Sequence, residues 1–407
     1  MSARGASGGR APGGRAPGGV GPGGIRVVQA TLLAGAVVGA AAVVFGRRLE
    51  ESARQGLVDW GTVESIATRR LRTAPGSLAR AELRAVEPLY AEALGLVVPR
   101  LESFLGSPLP GVVERHEIID RAGWVRANIT TFEAIVDRIE GRLLEQLLPP
   151  GVGPARASIA IANRWVTTRQ LGFLLGYLGQ RVLGQYDLAL LAAESSPGRL
   201  LFLEENIRRT ARVLDVPVDP FRTWIALHET THAFEFEANS WLRPYLAERL
   251  EAQLTAFSRD VSGLSRDALG SFGRAVRGEP GSHWMERLMT PEQRRLFRET
   301  QTVMSVLEGF GDYVMDEVGA DLVPGASRIS QRFHARRSQR SGFDRAIMRL
   351  TGMDLKMEQY RRGEQFVAAV ARAGGREGLA KLWTGPSAMP TPDELGQPSR
   401  WLARMGA

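Results

Sequence analysis

Residues 223 to 237 read TWIALHETTHAFEFE, which sets His228 and His232 four residues apart with Glu229 directly after the first. On a helix, side chains at that spacing lie one turn apart on the same face, so both imidazoles can converge on one ion. Glu229 is rotated by about one hundred degrees from His228 and flanks the ion without ligating it. That is where a general base belongs: zinc lowers the pKa of its bound water toward 7, and the carboxylate takes the proton as the water attacks a carbonyl. The chain has five histidines, and a chance HExxH should occur in well under roughly one in a hundred such chains. The plain alternative is a pair of core histidines, each of which would need a hydrogen-bond partner inside an apolar stripe.

Zinc requires a third protein ligand and an open fourth position. A further Gly and His on the same helix would supply one pattern, but Glu235 and Ala238 stand in those places. Downstream, VMSVLEGFGDYVMDEVGADLVP carries Glu308, Asp312 and Asp316 at four-residue steps in an otherwise apolar helix, and carboxylates in such a setting call for a cation or a metal. Glu308 is the expected third ligand. Asp312, one turn on, is the expected acceptor for the outer nitrogen of a ligating histidine, and Asp316 fits an exposed or ion-paired face equally well. Gly309 and Gly311 would let this helix approach the HETTH helix closely.

The elements that must position these groups read mostly as helix. Apolar residues recur at three and four from about Leu57 onward, for example in SLARAELRAVEPLYAEALGLVV, GWVRANITTFEAIVDRIEGRLLEQLL and QYRRGEQFVAAVARAG. Asp219-Pro220 is the expected N-cap and first helical residue of the HETTH helix. One interval differs: YDLALLAAESSPGRLLFL, at 186 to 203, places two apolar runs either side of Ser-Ser-Pro-Gly, the pattern of a hairpin. The expected fold is mainly α with a small hairpin or sheet next to the HExxH helix.

A chain of 407 residues with 44% apolar content can bury a large core. It has no cysteine, which excludes disulfides, iron-sulfur clusters and thiol catalysis and leaves metal binding to His and carboxylate. Of its net charge of +8, the first 56 residues hold +5, so the rest lacks the footprint of a nucleic-acid binder. Only Lys356 and Lys381 are lysines among 52 basic residues, a codon bias of a GC-rich genome. Residues 1 to 24, with GGRAPGGRAPGG, are expected to form a disordered tail. Residues 25 to 48 hold the uncharged run Val27 to Phe45, bracketed by Arg26 and Arg47-Arg48. This run is long enough to cross a bilayer as a helix, or to pack through Gly35 and Gly39 on protein. It ends in no small-residue cleavage site. The expected location is the cytoplasm, with a membrane anchor through residues 27 to 45 as the alternative.

HETTH followed 76 residues later by Glu308 and Asp312 resembles the gluzincin arrangement of metallopeptidases. In that arrangement HExxH supplies two ligands and the catalytic Glu, and ExxxD supplies the third ligand and an outer Asp. The stretch from Val58 to the C-terminus is more closely similar to the zincin-like type 2 family of actinobacterial proteins. The matching words are DRAGWVRANI, LGQYDLAL, HETTHAFEFE, LMTPEQRRLF, MSVLEGFGDYVMD and KMEQYRRGEQF. The resemblance implies a helical zincin-like domain over residues 57 to 407 with a zinc site. Members often have His where Phe310 stands, so no ligand role passes to that position. The family is often labelled with biosynthesis of a deazaflavin coenzyme, yet no nucleotide-binding pattern is present; Gly172, Gly176 and Gly179 lack a preceding strand and fit close helix packing.

His116, His283 and His334 sit in polar surroundings without a paired partner in sequence, and Tyr313 and Tyr360 fit packing better than an oxyanion role. The expectation is a zinc-dependent hydrolase acting on a peptide or protein substrate. His228, His232 and Glu308 hold Zn2+, and Glu229 is catalytic. The alternative is a non-catalytic scaffold stabilised by zinc. Nothing in the sequence specifies the oligomeric state.

Overall fold

The computed structural model describes residues 56–109, 111–147, 154–187, 198–253, 255–256, 289–338 and 353–406. The expected tail at 1–24, the apolar run at 27–45, the first apolar run of the hairpin at 188–191 and His283 lie outside the described residues. Among the described residues no helix is long and apolar enough to cross a membrane.

The helices among the described residues are α1 (Trp60–Arg72), α2 (Arg80–Leu105), α3 (Arg121–Leu147), α4 (Pro154–Leu178), α5 (Glu204–Leu214), α6 (Val218–Glu237), α7 (Pro291–Leu322), α8 (Ala326–Ser338), α9 (Met353–Lys381), α10 (Pro392–Gly396) and α11 (Pro398–Met405). Three short strands, β1 (His116–Ile118), β2 (Gly184–Asp187) and β3 (Arg199–Phe202), form one sheet in the order β1-β3-β2. β3 runs parallel to β1 and antiparallel to β2. The hairpin expectation is met in the antiparallel pairing of β2 with β3. β1 has no counterpart in the sequence reading. Leu200, Leu201 and Phe202 are all fully buried, as befits a central strand covered on both faces.

Two apolar clusters lie on either side of this sheet. The smaller joins Val63, Ala67 and Leu71 of α1 with Trp124 and Val125 of α3, Leu175 of α4 and Leu203. α4 crosses α1 closely: a Cβ on Gly172 would come within 2.8 Å of Ile66 Cβ, and one on Gly176 within 3.1 Å of Ala67 Cα. That is the close packing expected of the glycine spacing. The larger cluster gathers α2, α5, α6, α7, α9 and α11 around residues such as Tyr90, Phe221, Phe310, Phe366 and Trp401.

α6 begins at Val218 with Pro217 as its N-cap. Asp219 is therefore not the cap but a first-turn residue, where its carboxylate meets Arg222 and the positive end of the helix dipole. Pro220 sits where no intrahelical N–H is required. α7, 32 residues long, opens with a reciprocal cap: Gln293 N–H donates to Thr290 Oγ1 at 3.3 Å and Thr290 N–H to Gln293 Oε1 at 3.0 Å.

The glycine expectation on α7 is half corrected. Gly311 does face the HETTH helix, but a Cβ on Gly309 would lie 2.2 Å from the Gly363 carbonyl carbon, so Gly309 serves α9. Reciprocally, a Cβ on Gly363 would lie 1.8 Å from Ser305 O, so the two helix backbones touch. Gly363→Ala is expected to destabilise the fold by about 1–3 kcal/mol through overpacking, which exceeds the gain of roughly 1 kcal/mol in helix propensity. Urea unfolding reads this directly; wild-type stability would mean that the helices separate freely.

Candidate metal centre

The two histidines of α6 turn their Nε2 atoms toward each other, 3.2 Å apart, with ring planes at 80°. Helical spacing brings the two rings together edge to face, and the neighbours orient them. His232 Nδ1 lies 2.8 Å from Glu235 Oε2, and His228 Nδ1 lies 2.9 Å from Met315 Sδ on α7. α7 brings Glu308 to the same point, and one ligand atom each of His228, His232 and Glu308 lies within 4.8 Å of the others. Gly311 faces the two rings, and a Cβ there would stand 3.4 Å from the His228 ring, in van der Waals contact.

These donors suit a divalent metal. Two nitrogens bound to one tetrahedral zinc at about 2.0–2.1 Å stand about 3.3 Å apart, close to the spacing observed. Charge argues the same way. Glu229, Glu235 and Glu308 surround two imidazoles, and although burial opposes it, Glu235 and then Glu308 and Glu229 push His232 up to about 10. A pocket this negative offsets its charge best with a cation.

Glu229 is buried beside the donors, and its position depends on β2. Leu203 N–H bonds Leu183 O at 2.9 Å, and by antiparallel alternation this turns the backbone groups of Gly184 and Tyr186 away from β3. The Tyr186 N–H then reaches the Glu229 carboxylate. A Cβ on Gly184 would fall 2.6 Å from Glu229 Cγ; only glycine leaves the room that Glu229 occupies. Burial pushes the Glu229 carboxyl up to about 7, with His232 opposing the rise and Glu308 adding to it.

A family model for zincin-like metallopeptidases matches residues 58–402. The chain belongs to this family. No curated protein matches it. A crystal structure described as "a putative hydrolase with a novel fold", from Chloroflexus aurantiacus, is 35% identical in sequence, with a TM-score of 0.63, and the match covers 86% of this chain and 99% of that one. Membership makes the chain a hydrolase of metal-dependent type with a mainly α, zincin-like fold, and among the described residues His228, His232 and Glu308 form a group that could hold a metal.

In this zincin-like chain His228, His232 and Glu308 lie close together, and Glu229 lies beside them. The acceptor beside His232 Nδ1 is Glu235. Asp316 is exposed and accepts a bond from Ser330 Oγ at 3.3 Å. Phe310 is buried against Phe234 and Trp383. Tyr313 packs at Phe104, and His116 and His334 lie outside the cluster. Three contributors escaped the sequence reading: Glu235, Gly184 and the Tyr186 N–H. Glu235 left a signal, a lone carboxylate between Phe234 and Phe236, the same cue that singled out Glu308. Gly184→Ala is expected to displace Glu229 by around an ångström and lower kcat roughly 10²-fold with zinc content unchanged. Single-turnover kinetics beside metal analysis would check it, and wild-type turnover would show that Glu229 tolerates the shift.

Proposed function

We propose that the chain is a zinc metallopeptidase in which His228, His232 and Glu308 hold the ion and Glu229 is the general base. The convergence of two Nε2 atoms and Glu308, with Glu229 seated beside them under β2, carries this reading. Bound there, zinc supplies a Lewis acid and an acidified water. The chain's own residues do the rest. Glu229, held by the Tyr186 N–H, accepts a proton at its carboxylate and returns it to the leaving amine. The buried carboxylates and the apolar walls of α6 and α7 exclude bulk water and strengthen these charge interactions.

The peptide preference rests on β2. It pairs only with β3 among the described residues, and its outer edge, carrying Gly184 and Tyr186, lies against Glu229. An extended backbone laid along that edge would be delivered to the general base, and main-chain hydrogen bonds would favour peptides over compact substrates. The Chloroflexus aurantiacus protein, described as "a putative hydrolase", agrees with the broader class.

The test pairs a broad peptide library with metal analysis of wild type, His232→Ala and Glu308→Ala. Cleavage by zinc-loaded wild type, with loss of both zinc and cleavage in the variants, is expected. Full zinc in Glu308→Ala would refute the ligand set. A zinc-loaded wild type that cleaves no peptide would favour the scaffold alternative.

A further inference from the structure

Glu235 is fully buried on α6 between two phenylalanines, three residues after His232. One carboxylate oxygen, Oε2, lies 2.8 Å from His232 Nδ1. The other, Oε1, has no hydrogen-bond partner among the described residues. A buried carboxylate satisfied on one oxygen alone costs stability, and an apolar residue between Phe234 and Phe236 would carry no such penalty. A buried polar atom left unsatisfied in a native fold calls for an explanation beyond packing, and the single partner of Glu235 supplies one.

Resting on the zinc reading above, we infer that Glu235 is a positioning residue for the metal centre: it keeps the proton of His232 on Nδ1 and aims the Nε2 lone pair at the ion. Accepting from Nδ1–H fixes both the tautomer and the ring plane, and a negative acceptor raises the basicity of the far nitrogen. The short link makes this rigid. Both residues lie on one helix at i and i+3, so the carboxylate and ring move together.

The experiment uses the full chain as wild type, Glu235→Gln, Glu235→Leu and Glu308→Ala, with Zn2+ itself titrated against a competing chelator. Glu235→Gln keeps the shape and an acceptor but loses the charge, and is expected to weaken the zinc Kd about 10-fold; Glu235→Leu removes both and is expected to weaken it about 100-fold. Thermal unfolding of the metal-free proteins separates positioning from packing, since the affinity loss should not follow the order of unfolding temperatures. In the zinc-loaded protein the hydrogen-bonded His232 ring N–H proton is expected far downfield by NMR and should move upfield in Glu235→Gln.

Loss of zinc in Glu308→Ala together with wild-type Kd and an unmoved ring proton in Glu235→Gln overturns the inference while the ligand set stands. An affinity loss that scales only with lowered metal-free stability, with the ring proton unmoved, also overturns it. Full zinc retention in Glu308→Ala removes the ligand set itself, and this inference with it.

Discussion

Glu229→Gln is expected to retain zinc at the wild-type stoichiometry while kcat on a cleaved peptide falls by about 10²–10⁴-fold, the range contributed by one positioned general base. The reason for separating the two effects is geometric. Glu229 is not among the three donors that converge; it lies against Gly184 and takes the Tyr186 N–H. Gln has the same shape and keeps a carbonyl oxygen for that N–H, so its packing survives. What it cannot do is accept a proton. Stability should not suffer, because the variant removes a buried carboxylate that burial pushes up to about 7. The measurement is metal analysis beside single-turnover cleavage by both proteins. Equal rates at equal zinc content would remove Glu229 from the mechanism and would point to another base.

The second large effect lies away from the metal. Glu204, at the start of α5, is fully buried and accepts from Tyr90 Oη at 2.6 Å, from Arg208 Nε at 2.7 Å and from Arg222 of α6. The group ties α2, α5 and α6 together beneath the HETTH turns. Burial disfavours its ionisation, yet the bonds from Arg222, Tyr90 and Arg208 outweigh that and hold its carboxyl below the ordinary Glu value of 4.5. Glu204→Gln leaves Arg222, 5% exposed, without its buried anionic partner and with only the exposed carboxylate of Asp219 beside it, and breaking one side of a buried pair costs about 3–5 kcal/mol. Because the folded value is lowered, this stabilisation is complete above pH 4.5 and is lost as the pH falls through the folded value. Urea unfolding at neutral pH should show the full difference between the two proteins, and a series taken to lower pH should show them converging. A constant difference across that range would mean that the charge of Glu204 is not what the network uses.

The metal centre was legible in sequence to the extent that its geometry is local. His228, Glu229 and His232 occupy one helix, whose periodicity dictates which side chains share a face. Glu308 was legible for a different reason: a carboxylate inside an apolar run must find a positive partner, and the partner was already at hand. The same logic applied to Glu235 would have found the His232 acceptor, but the residue was read only as failing to be glycine. Asp312 was the choice made, since its spacing from Glu308 suited the role. Helical spacing gives the face a side chain occupies; it does not say which of two neighbouring carboxylates meets a given ring.

Amino-acid order alone determined a mainly helical chain without thiol chemistry, a paired-histidine helix, and the carboxylate helix that completes it. Tertiary structure decided what covers the site. β1 is three residues long and pairs in parallel with a strand more than eighty positions later, too little local pattern to register. Gly184 carries no side chain, and its meaning exists only once β2 lies over Glu229. Gly309 was read against the wrong helix because a glycine shows that something is close without showing what. Periodicity is a property of neighbours along the chain, whereas the room for Glu229, the α7–α9 crossing and the single bond of Glu235 arise from segments that meet only on folding.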